Sequence, residues 1–182
     1  ELGFEYHFKV TDFTQINAFV NRQMLIQAIN LLDFRGSERV LDLFCGLGNF
    51  TLAVATRVRE VVGIEVSEEM VERLAHNAAN NGLTNISASA FDLTQSIDAQ
   101  FWANEQWDTM IIDPPRSGAK EVLKALPMIN TRRVLYVSCN PVTFARDAKI
   151  LIDRGFSMKY LGIVDMFPHT SHLESMALFT TD

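Results

Sequence analysis

The sequence predicts an α/β domain built on a doubly wound, mostly parallel sheet, and three observations carry that prediction. Short apolar runs alternate along the chain with stretches of helical periodicity. The first run of the alternating part opens into a turn with two glycines, Gly46 and Gly48. Later runs end in polar residues, among them Glu65, Asp113 and Ser138. In such sheets ligands sit beyond the carboxyl ends of the strands, so polar residues gathered there are candidates for a site.

The elements follow in order. Residues 1–18 alternate Phe4, Tyr6, Phe8 and Val10, the period of a strand that needs a partner. Leu25, Ala28, Ile29 and Leu32 fall at i, i+3, i+4 and i+7, one face of a helix. From Arg39 the pattern becomes strand and helix in turn, with apolar runs at 40–44, 61–64, 86–91, 109–112 and 134–137. Ser67 is a good N-cap, followed by Glu68 and Glu69 where the helix dipole favours negative charge. Met70, Val71, Leu74 and Ala78 share a face of that helix, and Gly82 is placed to end it. Asn140 and Pro141 are a natural N-cap and first residue for a helix carrying Phe144, Ala148 and Leu151. Residues 156–164 and 175–179 read as two final strands.

The 182 residues suit one domain, with 48% apolar and 21% charged side chains. No apolar run approaches the roughly 20 residues that cross a bilayer, so no membrane contact is expected. The start has neither a basic region nor a long apolar stretch, so it is no signal peptide, and the missing initiator Met suggests a piece of something longer. Two cysteines, Cys45 and Cys139, are too few for a disulfide scaffold and fit a reducing, cytoplasmic setting. The net charge of −6 argues either against a nucleic-acid substrate or for an RNA-gripping module elsewhere.

Asp42-Leu43-Phe44-Cys45-Gly46-Leu47-Gly48-Asn49-Phe50 forms the glycine turn. Glycines one residue apart let the backbone turn sharply and approach a ligand. Glu65 ends the next run about 20 residues on, where an acid holds the ribose hydroxyls of an adenosine-type cofactor. A dinucleotide site wants a third Gly or Ala, but Phe50 and Thr51 follow Gly48 and Asn49 here, and a P-loop lysine is absent. Asp42 would repel a pyrophosphate and suits a cationic sulfonium, so S-adenosylmethionine is the cofactor expected. Asp92, after the third run, is placed to accept from an adenine amino group. The plainer alternative is that Asp42 and Asp92 cap their own turns.

Asp113-Pro114-Pro115-Arg116 follows the fourth run, and the two prolines hold a carboxylate on stiff, extended chain. Amino-group methyltransferases often place an aromatic after two such prolines; Arg116 offers no ring to clamp an exocyclic amine. Cys139 lies between a strand end and a helix N-terminus, where the dipole lowers a thiol's pKa, and Arg116 or Arg146 would add to that if near. A reactive thiolate explains this position better than an inert cysteine, whereas Cys45 inside the glycine turn reads as packing. His169, His172 and Glu174 could be zinc ligands, but no H-E-x-x-H helix accompanies them and no metal is expected. Glu174, leading into an apolar strand, reads as a general base in a partly dry site.

These segments, with Asp12-Phe13-Thr14-Gln15-Ile16-Asn17 and the stretch 167–175, resemble the uracil-C5 RNA methyltransferases, specifically the RumA/RlmD type that acts on 23S ribosomal RNA. The resemblance implies a Rossmann-like S-adenosylmethionine-dependent methyltransferase fold whose mostly parallel sheet ends in a C-terminal antiparallel strand. It implies Cys139 as nucleophile, Glu174 as general base and Asp113 at the uracil edge. Gln15, Phe44, Gly46, Gly48, Asn49, Glu65, Asp92 and Asp113 would line the cofactor site, with Phe13, Gln15 and Arg116 toward the substrate. Members of this type carry an upstream RNA-binding barrel and a central domain with a 4Fe-4S cluster, for which two cysteines cannot supply the four ligands. Residues 1–17 would then be the tail of that central domain and 18–182 the catalytic domain, with ribosomal RNA as partner. The alternatives are the transfer-RNA branch, an amino-group nucleic-acid methyltransferase, and a non-catalytic cofactor-binding module.

Overall fold

The computed structural model describes residues 3–15, 17–127, 131–166, 170 and 173–181. Its elements are α1 (Ala18–Leu32), β1 (Arg39–Leu43), α2 (Asn49–Ala55), β2 (Glu60–Glu65), α3 (Glu68–Asn80), β3 (Ile86–Ala90), β4 (Thr109–Ile112), α4 (Lys120–Ala125), β5 (Arg133–Ser138), α5 (Pro141–Asp153), β6 (Ser157–Val164) and β7 (Glu174–Thr180). Each apolar run expected to be a strand is one, with ends moved by a single residue at most.

The strands form one sheet in the order β3-β2-β1-β4-β5-β7-β6. The first five are parallel, while β7 runs antiparallel to both β5 and β6. From β1 the chain winds outward to β2 and β3, then returns to lay β4 on the other side of β1. That reversal makes the carboxyl ends of β1 and β4 the topological switch point, where open α/β sheets bind their ligands.

Period two explains why the strands read as unbroken apolar runs. Leu41, Leu43, Val134, Tyr136, Ala177 and Phe179 face one layer with α4, α5, Trp102 and Trp107. Val40, Leu135, Val137, Met176 and Leu178 face the other, against α1 and α2. A strand buried on both sides leaves few positions for a polar residue away from its ends, and Asp42, inside β1, is such an exception. The capping signals also hold: the Ser67 side chain accepts from Met70 N–H, and that of Asn140 from Val142 N–H, with Pro141 following.

The lead-in differs from its expectation. Residues 3–9 lie in no strand, although Phe4, Tyr6, Phe8 and Val10 alternate. Two asparagines one turn apart on α3 take the place of a neighbouring strand. Asn77 accepts from His7 N–H (2.8 Å) and donates to His7 C=O (3.2 Å), and Asn81 does the same at Glu5 (2.9 and 2.8 Å). Helical neighbours at i and i+4 lie about 6 Å apart, close to the two-residue repeat of an extended chain, so the amides meet alternate peptides. Between them Phe4 and Tyr6 reach the packing around Leu52 and Leu74.

Asn77 is fully buried, so Asn77→Ala removes both bonds to the His7 backbone and leaves a gap behind the lead-in. The expected cost is about 2 kcal/mol, read as a melting midpoint lower by about 4–8 °C. A midpoint within 1 °C of the parent would show that the lead-in is not held this way.

Candidate active site

The register sets the functional side chains abreast. Leu43 pairs with Ile64 on one side and Ile112 on the other, so one step onward Phe44, Glu65 and Asp113 share a level. Ser138 pairs with Ser175, so the next pair outward at this edge is Cys139 with Glu174. The antiparallel strand β7 thus brings its first residue to the same edge to which the parallel strands bring their last.

The glycine turn carries a bent backbone. Phe44, a bulky residue, sits at φ +64°, a conformation that non-glycine residues hold only when their surroundings impose it and that gathers at functional sites. Gly46 and Gly48 also have positive φ, but for different ends. A Cβ on Gly48 would strike Leu52 and Leu74, each at 2.3 Å, so this glycine lets α2 and α3 close on the turn. A Cβ on Gly46 would meet nothing within 4 Å, so its backbone faces open space. Its N–H donates to Glu65 Oε2 (3.1 Å), while Glu65 Oε1 accepts from Val66 and Ser67 (2.9 and 3.2 Å). Cys45 is buried, as packing requires, with its sulfur against Gly63.

Negative charge is crowded here. Asp42 is buried and its carboxyl is pushed up to about 7 by desolvation, with Glu65 adding to the effect and the Thr51 hydroxyl bond (2.5 Å) opposing it. Asp113 is likewise pushed up to about 7, by burial and then by Glu174 and Asp42. Glu174 is raised by burial. Among the described residues, Asp42 Oδ1 and Gln15 Oε1 are buried with no hydrogen-bond partner. Unused acceptors beside desolvated carboxylates favour a cationic or donor-rich ligand.

The Cys139 expectation needs correction. Its thiol is raised, not lowered: burial and the Glu174 charge, with Asp113 behind them, outweigh its backbone hydrogen bond and the nearby Arg116 guanidinium. The thiol is half-buried at the sheet edge, outside the two apolar layers. Arg116 is near enough to act on it; Arg146 is committed to Asp147 Oδ1 (2.8 Å) and Ser117 C=O (2.8 Å).

Other expected residues fall as follows. Asp92 caps its own turn, its carboxyl held low by the Thr94 hydroxyl, then Thr94 N–H and Gln95. Asn49 is paired reciprocally with Asn21 (2.8 and 3.0 Å), which ties α1 to the start of α2. Phe13 is exposed, with its ring open to solvent. His169 and His172 lie outside the described residues, so the zinc alternative is untouched; among the described residues no cluster of metal-ligating side chains occurs.

One organising residue went unseen in the sequence. Asp147 on α5 is fully buried and accepts at Oδ2 from Tyr136 Oη (2.6 Å) and Ala119 N–H (2.7 Å). Asn140 Nδ2 and Thr143 Oγ1 both donate to Arg116 C=O (3.0 and 3.2 Å). These bonds lock the loop after Asp113 onto β5 and α5, and so set Asp113 and Arg116 against Cys139. Only the i, i+7 relation of Asp147 to Asn140 hinted at it, and that spacing is too common to single out a residue.

A family model described as tRNA (uracil-5-)-methyltransferase matches residues 2–181. The chain is 51% identical over 97% of its length to the 23S rRNA (uracil(1939)-C(5))-methyltransferase RlmD of Alcanivorax borkumensis, and 49% identical over 98% to that of Haemophilus influenzae. It spans about 40% of the length of these curated relatives. Among solved structures it resembles the Pyrococcus abyssi tRNA (uracil-54, C5)-methyltransferase in complex with S-adenosyl-L-homocysteine, with TM-score 0.84 and 28% identity, covering 99% of this chain and 43% of that one. The Bacillus subtilis YcgJ protein shares the fold at TM-score 0.69 and 13% identity, covering 88% of this chain and 99% of that one.

Asp147→Asn puts an amide N–H where a carboxylate oxygen now accepts. The expected result is a loss of about 1–3 kcal/mol in unfolding free energy and faster hydrogen exchange at the Ala119 amide. Unchanged exchange at Ala119 would remove Asp147 as the anchor of this loop.

Proposed function

The chain belongs to the tRNA (uracil-5-)-methyltransferase family, and from that premise we propose that it is the catalytic part of an S-adenosylmethionine-dependent enzyme methylating carbon 5 of a uracil in 23S ribosomal RNA. The observation that carries this reading is that Cys139, one step beyond the Ser138–Ser175 pair, lies close enough to Glu174 and Asp113 for both charges to act on its thiol. Relatives near 50% identity are named for uracil 1939, which favours the equivalent uridine. The transfer-RNA reading draws on the Pyrococcus abyssi structure at 28% identity and stands second. The RNA-binding barrel and 4Fe-4S domain are proposed for the remaining length of the full protein, with residues 1–17 joining them to the catalytic part at 18–182.

The residues fit the cofactor: Asp42 Oδ1 is unpartnered, Gly46 faces open space, and Glu65 accepts from Gly46 N–H and is near enough to act on Asp42. S-adenosylmethionine, when bound, supplies an electrophilic methyl group. Asp42 would hold its cationic amino-acid end and Glu65 its ribose, with Phe44, Asn49 and Asp92 around them and Gln15 at the boundary with the uracil.

The chemistry then belongs to Cys139, Asp113 and Glu174. The Cys139 thiolate adds to C6 of the uracil, and the C5=C6 electron pair moves onto the ring as an enolate. Asp113, raised to about 7, is protonated in part at neutral pH and so can donate to the developing oxyanion. The enolate pair on carbon 5 then takes the methyl group, whose bond to the donor's sulfonium sulfur would break to leave a neutral thioether. Glu174 then removes the C5 proton, the C5=C6 bond re-forms and the thiolate leaves. Arg116 offers a cation toward the ring and its phosphate, Phe13 a stacking face, and the base must leave its stack to enter.

Cys139→Ala in the full-length enzyme is expected to abolish 5-methyluridine formation while S-adenosylmethionine still binds. Glu174→Gln is expected to stall after methyl transfer and accumulate a protein–RNA adduct on denaturing gels. Turnover by the alanine variant would remove the nucleophile, and absence of any adduct would remove Glu174 as the base.

The raised thiol also fixes a pH dependence. Single-turnover rate is expected to climb about tenfold per unit as the thiol ionises, with no plateau through pH 8. A rate already level below pH 8 would mean a pre-formed thiolate instead.

A further inference from the structure

The opposite end of the sheet carries a second feature, which the reaction does not use. Around the amino ends of β1, β2, β4 and β5 lies an open cavity of about 680 Å³. Arg35, Arg39, Arg59, Arg132 and Arg133 all line it, against two acids, Glu38 and Asp108. In a chain of net charge −6 this lining holds more basic than acidic side chains.

The two acids are already engaged by backbone donors. Glu38 is buried and accepts from Arg35 N–H (2.9 Å) and Gly36 N–H (3.0 Å), while Asp108 Oδ2 accepts from Arg39 N–H (2.8 Å). Arg39 is spent as well: its guanidinium reaches Glu60 and Glu105 and lies 4.6 Å from the centre of the Trp107 ring. The other four guanidinium groups make no side-chain hydrogen bond or ion pair among the described residues. Two of them stand on fixed backbone, since Arg132 and Arg133 N–H both donate to Asp108 C=O (2.9 and 3.4 Å). Arg133 does act on the Glu38 carboxylate at longer range, helping to hold it low, but guanidinium groups free of direct pairing along one cavity wall suit phosphate oxygens, which they bind in a planar, two-pronged way.

We propose that this arginine-lined cavity is a second RNA contact, gripping backbone phosphates of the substrate RNA at the end of the sheet opposite the reacting base. It rests on the reading of RNA as substrate. A strand of five residues separates the two ends by about 17 Å, a distance a folded ribosomal RNA spans with ease. Contact there would add affinity and position but no chemistry.

The test uses the full-length enzyme with Arg35, Arg59, Arg132 and Arg133 all changed to Gln, and a second variant with all four changed to Lys. The Gln variant is expected to bind a 23S fragment at least about tenfold more weakly near 0.15 M salt and to lose about three units of salt-dependence slope, close to one for each of the four arginines. Its kcat at saturating RNA and its affinity for S-adenosylmethionine should stay at the parent values, and the Lys variant should recover most of the slope. Equal RNA affinity and slope in parent and Gln variant would overturn the proposal. So would a lowered melting midpoint with RNA affinity intact, which would assign the cavity to a protein contact. If the parent forms no 5-methyluridine yet the slope still falls with the Gln variant, the uracil-methylation reading fails and the phosphate contact stands.

Discussion

The constraint on which this structure turns is the gathering of carboxylates at one edge of a buried sheet. Asp42, Asp113 and Glu174 are all raised, chiefly because burial disfavours their charged forms, and Asp42 and Glu174 also act on Asp113. For an acid whose pKa rises on folding, the native state binds more protons than the unfolded chain between the two values. Stability from these groups therefore falls as pH rises from about 4 towards 7. A fold keeps such a cost only where something else uses the charge. A cation seated at the edge would favour the ionised forms and recover part of it, which couples ligand affinity to the same protonation.

The sheet supplies that edge through topology. Parallel strands place their carboxyl ends together, and the reversal between β3 and β4 opens a gap between helices there. The last strand, running the other way, adds a residue from its beginning. Glu174 and Cys139 are thus neighbours though 35 positions apart, through a register set by apolar residues behind them. Asp147, anchoring Tyr136 and Ala119, then fixes the loop between Asp113 and α4. Chemistry at the rim is positioned by packing in the body.

Much of this was legible because strands buried on both faces announce themselves as apolar runs, and caps such as Ser67 and Asn140 mark helix starts. Three features were not. The lead-in alternates like a strand, yet its partner is a pair of helix asparagines, and alternation cannot say what satisfies a backbone. Asp147 gave no signal because its importance lies in what folding brings to it. The thiol of Cys139 was misjudged because a helix N-terminus is visible in sequence while the Glu174 carboxylate across the sheet is not. At short range the loss of water and the like charge of Glu174 raise the thiol, outweighing its backbone hydrogen bond and the Arg116 guanidinium.

Overall charge misleads in a similar way. A net charge of −6 suggested that this domain alone offers RNA little grip, but a sum carries no information about distribution. The carboxyl edge of the sheet collects acids while the amino edge sets five arginines among its acids, so the charge is unevenly spread although the chain as a whole is acidic. Within a Debye length of about 8 Å a phosphate responds to the groups beside it far more than to the total. The acidic edge suits a cationic donor and would repel a naked phosphate backbone, so on the proposed reading a target nucleotide would be carried in by contacts made elsewhere. Any surface that performs this task has to be basic and set apart from the reaction edge, and on this domain the arginine-lined end of the sheet is one that meets both conditions.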